Sequence, residues 1–166
     1  MNFNLNSGWG RVQTSGLPFL GTGKHFFVGD SSTPNLDMIQ QLFGYRADSM
    51  GTLKFFDDVD EAIGACTAGA GDVIFVMPNH AETIAAAAGW VMDIAGISIV
   101  GLGQGENRPI ITFATATAAS ITNTAANCRV QNLIFKCNIA SQNHMFDLTA
   151  DDFTVEDCDF REGSAT

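Results

Sequence analysis

Three stretches of the chain repeat one pattern, and the distance between them limits the fold more than any single residue does. They are Ile97-Ser98-Ile99-Val100-Gly101-Leu102, Cys128-Arg129-Val130-Gln131-Asn132-Leu133-Ile134-Phe135 and Phe153-Thr154-Val155-Glu156-Asp157-Cys158-Asp159-Phe160. Each alternates apolar and polar residues, reaches a turn-prone Gly, Asn or Asp, and becomes apolar again. Val73-Ile74-Phe75-Val76-Met77 is a looser fourth copy. From the first apolar positions (73, 97, 128 and 153) the steps are 24, 31 and 25 residues. A strand pattern recurring every two dozen residues is the mark of a solenoid whose coils each add a strand to the same face. The expected fold is all-β: a parallel β-helix running from about residue 72 to 160.

Alternation then assigns faces. Val73, Phe75, Ile97, Ile99, Cys128, Val130, Phe153 and Val155 are predicted to point inward, with Ser98, Arg129 and Thr154 forming an outward row. The 25-residue step stacks Asn132 on Asp157, Phe135 on Phe160 and Lys136 on Arg161. Asn and Asp tolerate the left-handed backbone, so the Asn132/Asp157 pair marks a corner, filled by Gly101 one coil earlier. Strands at 108–113, 119–122 and 145–148 supply the remaining faces.

Before the coils, Asp58-Val59-Asp60-Glu61 resembles a capping box, and Val59, Ala62, Ile63 and Cys66 form a stripe at helical spacing. An open solenoid end exposes apolar side chains and strand edges, so a short helix within 57–68 is expected as the N-terminal cap. His25–Val28 reads as a strand and 35–45 as a short helix. Residues 1–24 are polar, Gly-rich and aperiodic, an extended arm. The organisation is therefore an arm and lead-in over 1–53, suited to attachment, and a capped β-helix over 54–166. The last residues, Gly163 to Thr166, follow the final core positions directly. That end is expected to be covered by a partner subunit or continued in a longer protein.

With 18 Asp+Glu against 8 Lys+Arg, the net charge of −10 repels phosphate backbones, and the cations are scattered, which argues against nucleic acid as a partner. The longest apolar run, 83–91, is too short to span a bilayer, and no signal-peptide pattern opens the chain, so a cytoplasmic, membrane-free product is expected. Of the four cysteines, Cys128 and Cys158 fall in core slots, which favours buried packing over disulfides.

Chemical motifs are sparse. Gly101-Leu102-Gly103-Gln104-Gly105 follows a strand but leads into Arg108-Pro109-Ile110-Ile111 rather than a helix, so it reads as a turn and not a phosphate loop. His80-Ala81-Glu82 lacks the Pro-Cys-x-x-Cys partner of a zinc deaminase site. The densest cluster is Asp147, Asp151, Asp152, Glu156, Asp157, Asp159 and Glu162, near Arg129, Lys136 and Arg161. Glu156 and Asp159 are predicted to face outward, close enough to chelate a cation. Carboxylates on an outer face also simply keep a solenoid in solution. No catalytic, cofactor-binding or metal-ligating residue is assigned, and no cofactor is expected.

The run from Gly71-Asp72 through Pro78-Asn79 to Glu82-Thr83-Ile84, preceded by the capped helix, resembles the opening of pectate-lyase-like right-handed β-helix proteins. Ile94 to Gly103 followed by Arg108-Pro109-Ile110-Ile111 is similar to their next coil. More narrowly, residues 54–162 resemble β-helix proteins encoded among the structural genes of tailed bacteriophages. The resemblance implies a virion component assembled in the host cytoplasm, typically a homotrimer, with the major capsid protein or other virion proteins as partners. No position matches the calcium-site aspartates or the catalytic arginine of the lyases. The expected function is a non-enzymatic capsid decoration or stabilising protein, with tail fibre or spike placement second. The alternative is a polysaccharide-binding or polysaccharide-degrading spike.

Overall fold

The computed structural model of the chain describes residues 23–29, 35, 37 and 55–163. Its elements are β1 (His25–Val28), β2 (Phe55–Phe56), α1 (Val59–Gly64), β3 (Val73–Val76), β4 (Ala81–Ile84), β5 (Trp90–Met92), β6 (Ser98–Gly101), β7 (Ile110–Phe113), β8 (Ile121–Asn123), β9 (Arg129–Gln131), β10 (Ile134–Cys137), β11 (Phe146–Leu148), β12 (Thr154–Glu156) and β13 (Asp159–Glu162). The strands form three sheets in the orders β12-β9-β6-β3-β1-β2, β13-β10-β7-β4 and β11-β8-β5. Every pairing is parallel. Each coil visits the three sheets in turn, so the molecule is a parallel β-helix, as the repeats predict. The expected helix over 35–45 lies outside the described residues apart from Asn35 and Asp37, as does most of the 1–24 arm.

Val73, Ser98, Arg129 and Thr154 are register partners, giving coils of 25, 31 and 25 residues. Ile74, Ile99, Val130 and Val155 make one inward file, and Ile111, Phe135 and Phe160 another. Ser98, Arg129 and Thr154 form the expected outward row. Cys128 and Leu133 are buried in the interior, and no cysteine is in a disulfide.

One expectation fails. Val73 and Phe75 do not point into the helix. The step from the fourth copy is 25 residues, not 24, so Ile74 and Val76 join the interior while Val73 and Phe75 face outward. There they are buried with Phe27, Met77 and Val100 in a second apolar cluster. A one-residue slip exchanges the faces of a strand. All four residues of β3 are apolar and buried, so alternation carried no signal there.

The N-terminal coil is also wound out of order. β1 lies between β3 and β2, although β2 follows it in the chain. The strand foreseen at His25–Val28 is therefore an integral rung inside the segment assigned to the lead-in. Asp72 fastens this arrangement. Its fully buried carboxylate accepts the Lys24 amide at 2.7 Å and the Thr67 amide at 2.7 Å, tying the entry of β1 to the exit of α1. Charge-assisted bonds of this kind satisfy a carboxylate that would otherwise be costly to bury.

The helix is the cap that the sequence predicts. Asp58 accepts the Glu61 amide at 2.8 Å, and Val59, Ala62 and Ile63 enter the main core. Asp60 accepts the Val91 amide at 2.7 Å, closing part of the free edge of β5. Glu82 occupies the inward file below Ile111, on the edge strand β4. It takes the Val59 amide at 3.2 Å and the Trp90 indole at 2.5 Å, with His80 at 3.3 Å. His80 and Glu82 thus hold the cap to the first coil.

Corners rest on left-handed residues. Asn132 (φ 57°) and Asp157 (φ 50°) stand at the predicted bend. Gly101 aligns with them for a different reason than expected: a Cβ there would lie 2.3 Å from the Asn132 carbonyl oxygen, so close approach excludes a side chain. Gly101→Ala should therefore destabilise by roughly 1–3 kcal/mol, in the range of overpacking. Gly64→Ala, in α1 with nothing within 4 Å of its added Cβ, should be neutral or raise stability by up to about 1 kcal/mol. Thermal and urea unfolding of the two variants check the contrast; equal effects would contradict this corner geometry.

Candidate functional site

The irregular coil builds the most connected polar cluster. From the start of β9 to the start of β10 is five residues (129 to 134), and likewise from β12 to β13 (154 to 159), whereas β6 to β7 takes twelve (98 to 110). The surplus is the Gly-rich segment after Gly101, with left-handed Gly103 (φ 99°) and Gly105 (φ 58°) and a 3-10 turn over Gly105–Asn107. It is a turn, as expected, and it hangs over the tight corners of the two later coils. Asn132 donates its side-chain amide to the carbonyls of Gly101 at 2.8 Å and Gly103 at 3.1 Å.

Beyond that turn, Arg108 donates to the Gly105 carbonyl at 3.1 Å, to the Asp157 carbonyl at 3.0 Å and to the Asp159 carboxylate. Arg161 donates to Glu106 at 2.8 Å and to Asp159 at 2.9 Å. Two guanidinium groups and two carboxylates therefore alternate, and the bonds from Arg108 to Asp159 and from Arg161 to Glu106 join residues more than fifty apart in sequence. Hydrogen bonds from Arg161 and then Arg108 hold the Asp159 carboxyl below its ordinary range. Arg161 does the same to Glu106, and the two acids raise the guanidinium of Arg161 in turn. Exposed pairs of this kind contribute little singly; their effect here is to hold a loop in one place.

This geometry revises the reading of the acidic cluster. Glu156 and Asp159 do face outward, aligned with Gln131 and Ile134, and each is paired with arginine. Glu156 pairs with Arg129 at 3.6 Å, and Asp159 is held by Arg108 and Arg161. Asp157 accepts from Gln131 at 3.4 Å. Asp147, Asp151, Asp152 and Glu162 are exposed, and Lys136 lies beside Arg161 in the strand register. Among the described residues, no three of His, Cys, Asp or Glu are grouped as metal ligands. Glu106 and Arg108 are the partners that sequence reading missed. Their only signal was the 31-residue step, which requires about six residues to leave the stack.

A second corner ladder was also missed. Gly71 (φ 73°), Gly96 (φ 77°), Asn127 (φ 60°) and Asp152 (φ 57°) each precede a strand of the first sheet by two residues. With Ser98, Arg129 and Thr154 they line a shallow polar groove of about 390 Å³ that has no aromatic wall. Cys66, Cys128 and Cys158 are poor nucleophiles. Burial pushes Cys66 up to about 12, helped by Asp72, and burial also raises Cys128 and Cys158. Among the described residues, the buried side-chain amide of Asn123 has no hydrogen-bond partner.

A depressed folded-state pKa favours the fold above the unfolded-state value and loses that contribution as pH falls through the folded value. The Asp159 contribution should thus be complete at neutral pH and vanish in acid. Carboxyl-carbon NMR titration should give Asp159 a midpoint below the ordinary 3.8, and Arg108→Gln should move it upward. An unchanged midpoint in that variant would show that Arg108 does not hold Asp159 in solution.

Among the described residues no helix is long and apolar enough to cross a membrane. No protein family matches the chain, and no curated protein or solved structure matches it either.

Proposed function

We propose that the chain is a non-enzymatic structural protein of a bacteriophage particle, acting as a capsid decoration or stabilising protein, with tail fibre or spike placement second. The observation that carries this reading is how the outward charges are used. The carboxylates best placed for chemistry on the final coils, Glu156 and Asp159, are engaged by Arg129, Arg108 and Arg161. They hold loop and coils together instead of lining a cleft. A stack of parallel coils with continuous apolar files resists local opening, and an acidic exterior suits a protein that must stay apart from packaged nucleic acid. The resemblance to phage β-helix proteins supplies the particle, the capsid partner and the trimeric state as parts of this proposal.

A polysaccharide-binding or polysaccharide-degrading spike is the second reading, favoured by the polar groove over Ser98, Arg129 and Asp152. Mass spectrometry of the purified particles of the encoding phage separates the two together with an activity assay. The structural reading expects the chain at a fixed copy number per particle and no reducing ends or unsaturated products from acidic polysaccharides. Absence from the particle, or product release that is lost in Glu156→Ala, would overturn it.

A further inference from the structure

In a solenoid each coil rests only on its neighbours, so the energy holding one coil in place is independent of the coil two places away. This chain departs from that rule. Its coils begin at β3, β6, β9 and β12 in the first sheet. Hydrogen-bonded strands lie about 5 Å apart, so the β6 and β12 coils are separated by roughly 10 Å, with the β9 coil between them. Arg108, on the β6 coil, nevertheless donates to the Asp157 carbonyl at 3.0 Å and to the Asp159 carboxylate, both on the β12 coil. Arg161, on the β12 coil, reaches back to Glu106 at 2.8 Å. These bonds pass over one whole coil. The ion pair of Arg129 with Glu156, by contrast, joins adjacent coils.

The surplus of residues between β6 and β7 makes the crossing possible, because it carries the segment after Gly101 away from the stack and over the later corners. Asn132, on the middle coil, props that segment through the carbonyls of Gly101 and Gly103, and its backbone amide donates to the Glu156 carbonyl at 3.1 Å. Arg108 also bonds the Gly105 carbonyl at 3.1 Å, which folds the tip of the segment around its own guanidinium. Ile134 stands between Ile110 and Asp159 on the outer face of the second sheet, yet it is only 1% exposed. A bridge passing over the middle coil shuts such a residue off from solvent. We propose that the segment between β6 and β7 is an ionic clasp, which holds the β12 coil to the β6 coil past the coil between them and lets go when salt screens its charges. The acids of the clasp are within reach of ions, Glu106 being 75% exposed and Asp159 44%. This inference is independent of the particle reading and holds for a protein in any location.

Hydrogen exchange of the full chain reads the clasp. The Asp159 amide bonds the Leu133 carbonyl and reports the β12 coil leaving the β9 coil; the Asn107 amide bonds the Gln104 carbonyl and reports the segment. In the double variant Glu106→Gln, Arg108→Gln both amides should lose protection, Asp159 by roughly fivefold, the size that a few exposed pairs supply together. About 1 M salt, where the Debye length is about 3 Å, should do the same to the unaltered chain and add little to the variant. Glu106→Gln alone, at an exposed side chain, should give a smaller change in the same direction and serves if the double variant does not fold. Ile111→Val thins the core of the β6 coil without touching the clasp and should leave the Asp159 amide as it was. An Asp159 amide indifferent to the clasp variants and to salt would overturn the proposal. So would one that responds as strongly to Ile111→Val, because the β12 coil would then open only with the whole molecule.

Discussion

The whole molecule depends on the parallel backbone ladder between successive coils. A single coil of this chain cannot bury its own inward residues; Ile99 is enclosed only because Ile74 and Val130 lie directly beside it in neighbouring coils. Stability in such a stack is a sum of neighbour interfaces, so the ends need separate treatment. At the first end the chain uses a helix, two carboxylates that bond edge and helix amides, and two strands wound out of order. Asp72 joins these parts through backbone amides 48 and 5 residues away. The pairing of β1 with β3 thus requires closure of a long loop before it yields any contact.

Corners decide how far the coils can vary without breaking the ladder. The left-handed positions Gly71, Gly96, Asn127 and Asp152 recur with the strands, and the span from the third sheet back to the first is constant: β5 to β6, β8 to β9 and β11 to β12 each take eight residues (90 to 98, 121 to 129, 146 to 154). Variation is confined to the other corners. The excursion between β6 and β7 is returned to the surface by Asn132, Arg108 and Arg161. Outward side chains are therefore free to change with little cost to the core, the usual condition for placing function on a rigid scaffold.

The files at Ile99, Val130 and Val155 and the Asn132/Asp157 corner were legible because alternation and a turn residue recurred together. β3 was misread by one residue because an unbroken apolar strand has no alternation to read, and both of its faces proved to be covered. The Gly71-Gly96-Asn127-Asp152 ladder was present in the sequence at the same offset from each strand, but mixing Gly with Asn and Asp hid its unity. The bonds from Arg108 to Asp159 and from Arg161 to Glu106 were beyond reach, because they depend on where a six-residue excess leaves the stack. The acidic cluster was visible as composition; its neutralisation by arginine was a matter of three-dimensional placement.

The coil register is tested most directly by methyl NOE spectroscopy of the full chain with labelled Ile, Leu and Val. The ladder predicts cross-peaks from Ile74 to Ile99, from Ile99 to Val130 and from Val130 to Val155, and none between Ile74 and Val130, which lie two coils apart. Cross-peaks from Val73 to Ile97 and Ile99, with Ile74 silent, or no contact between Val130 and Val155, would contradict the stacked fold described above.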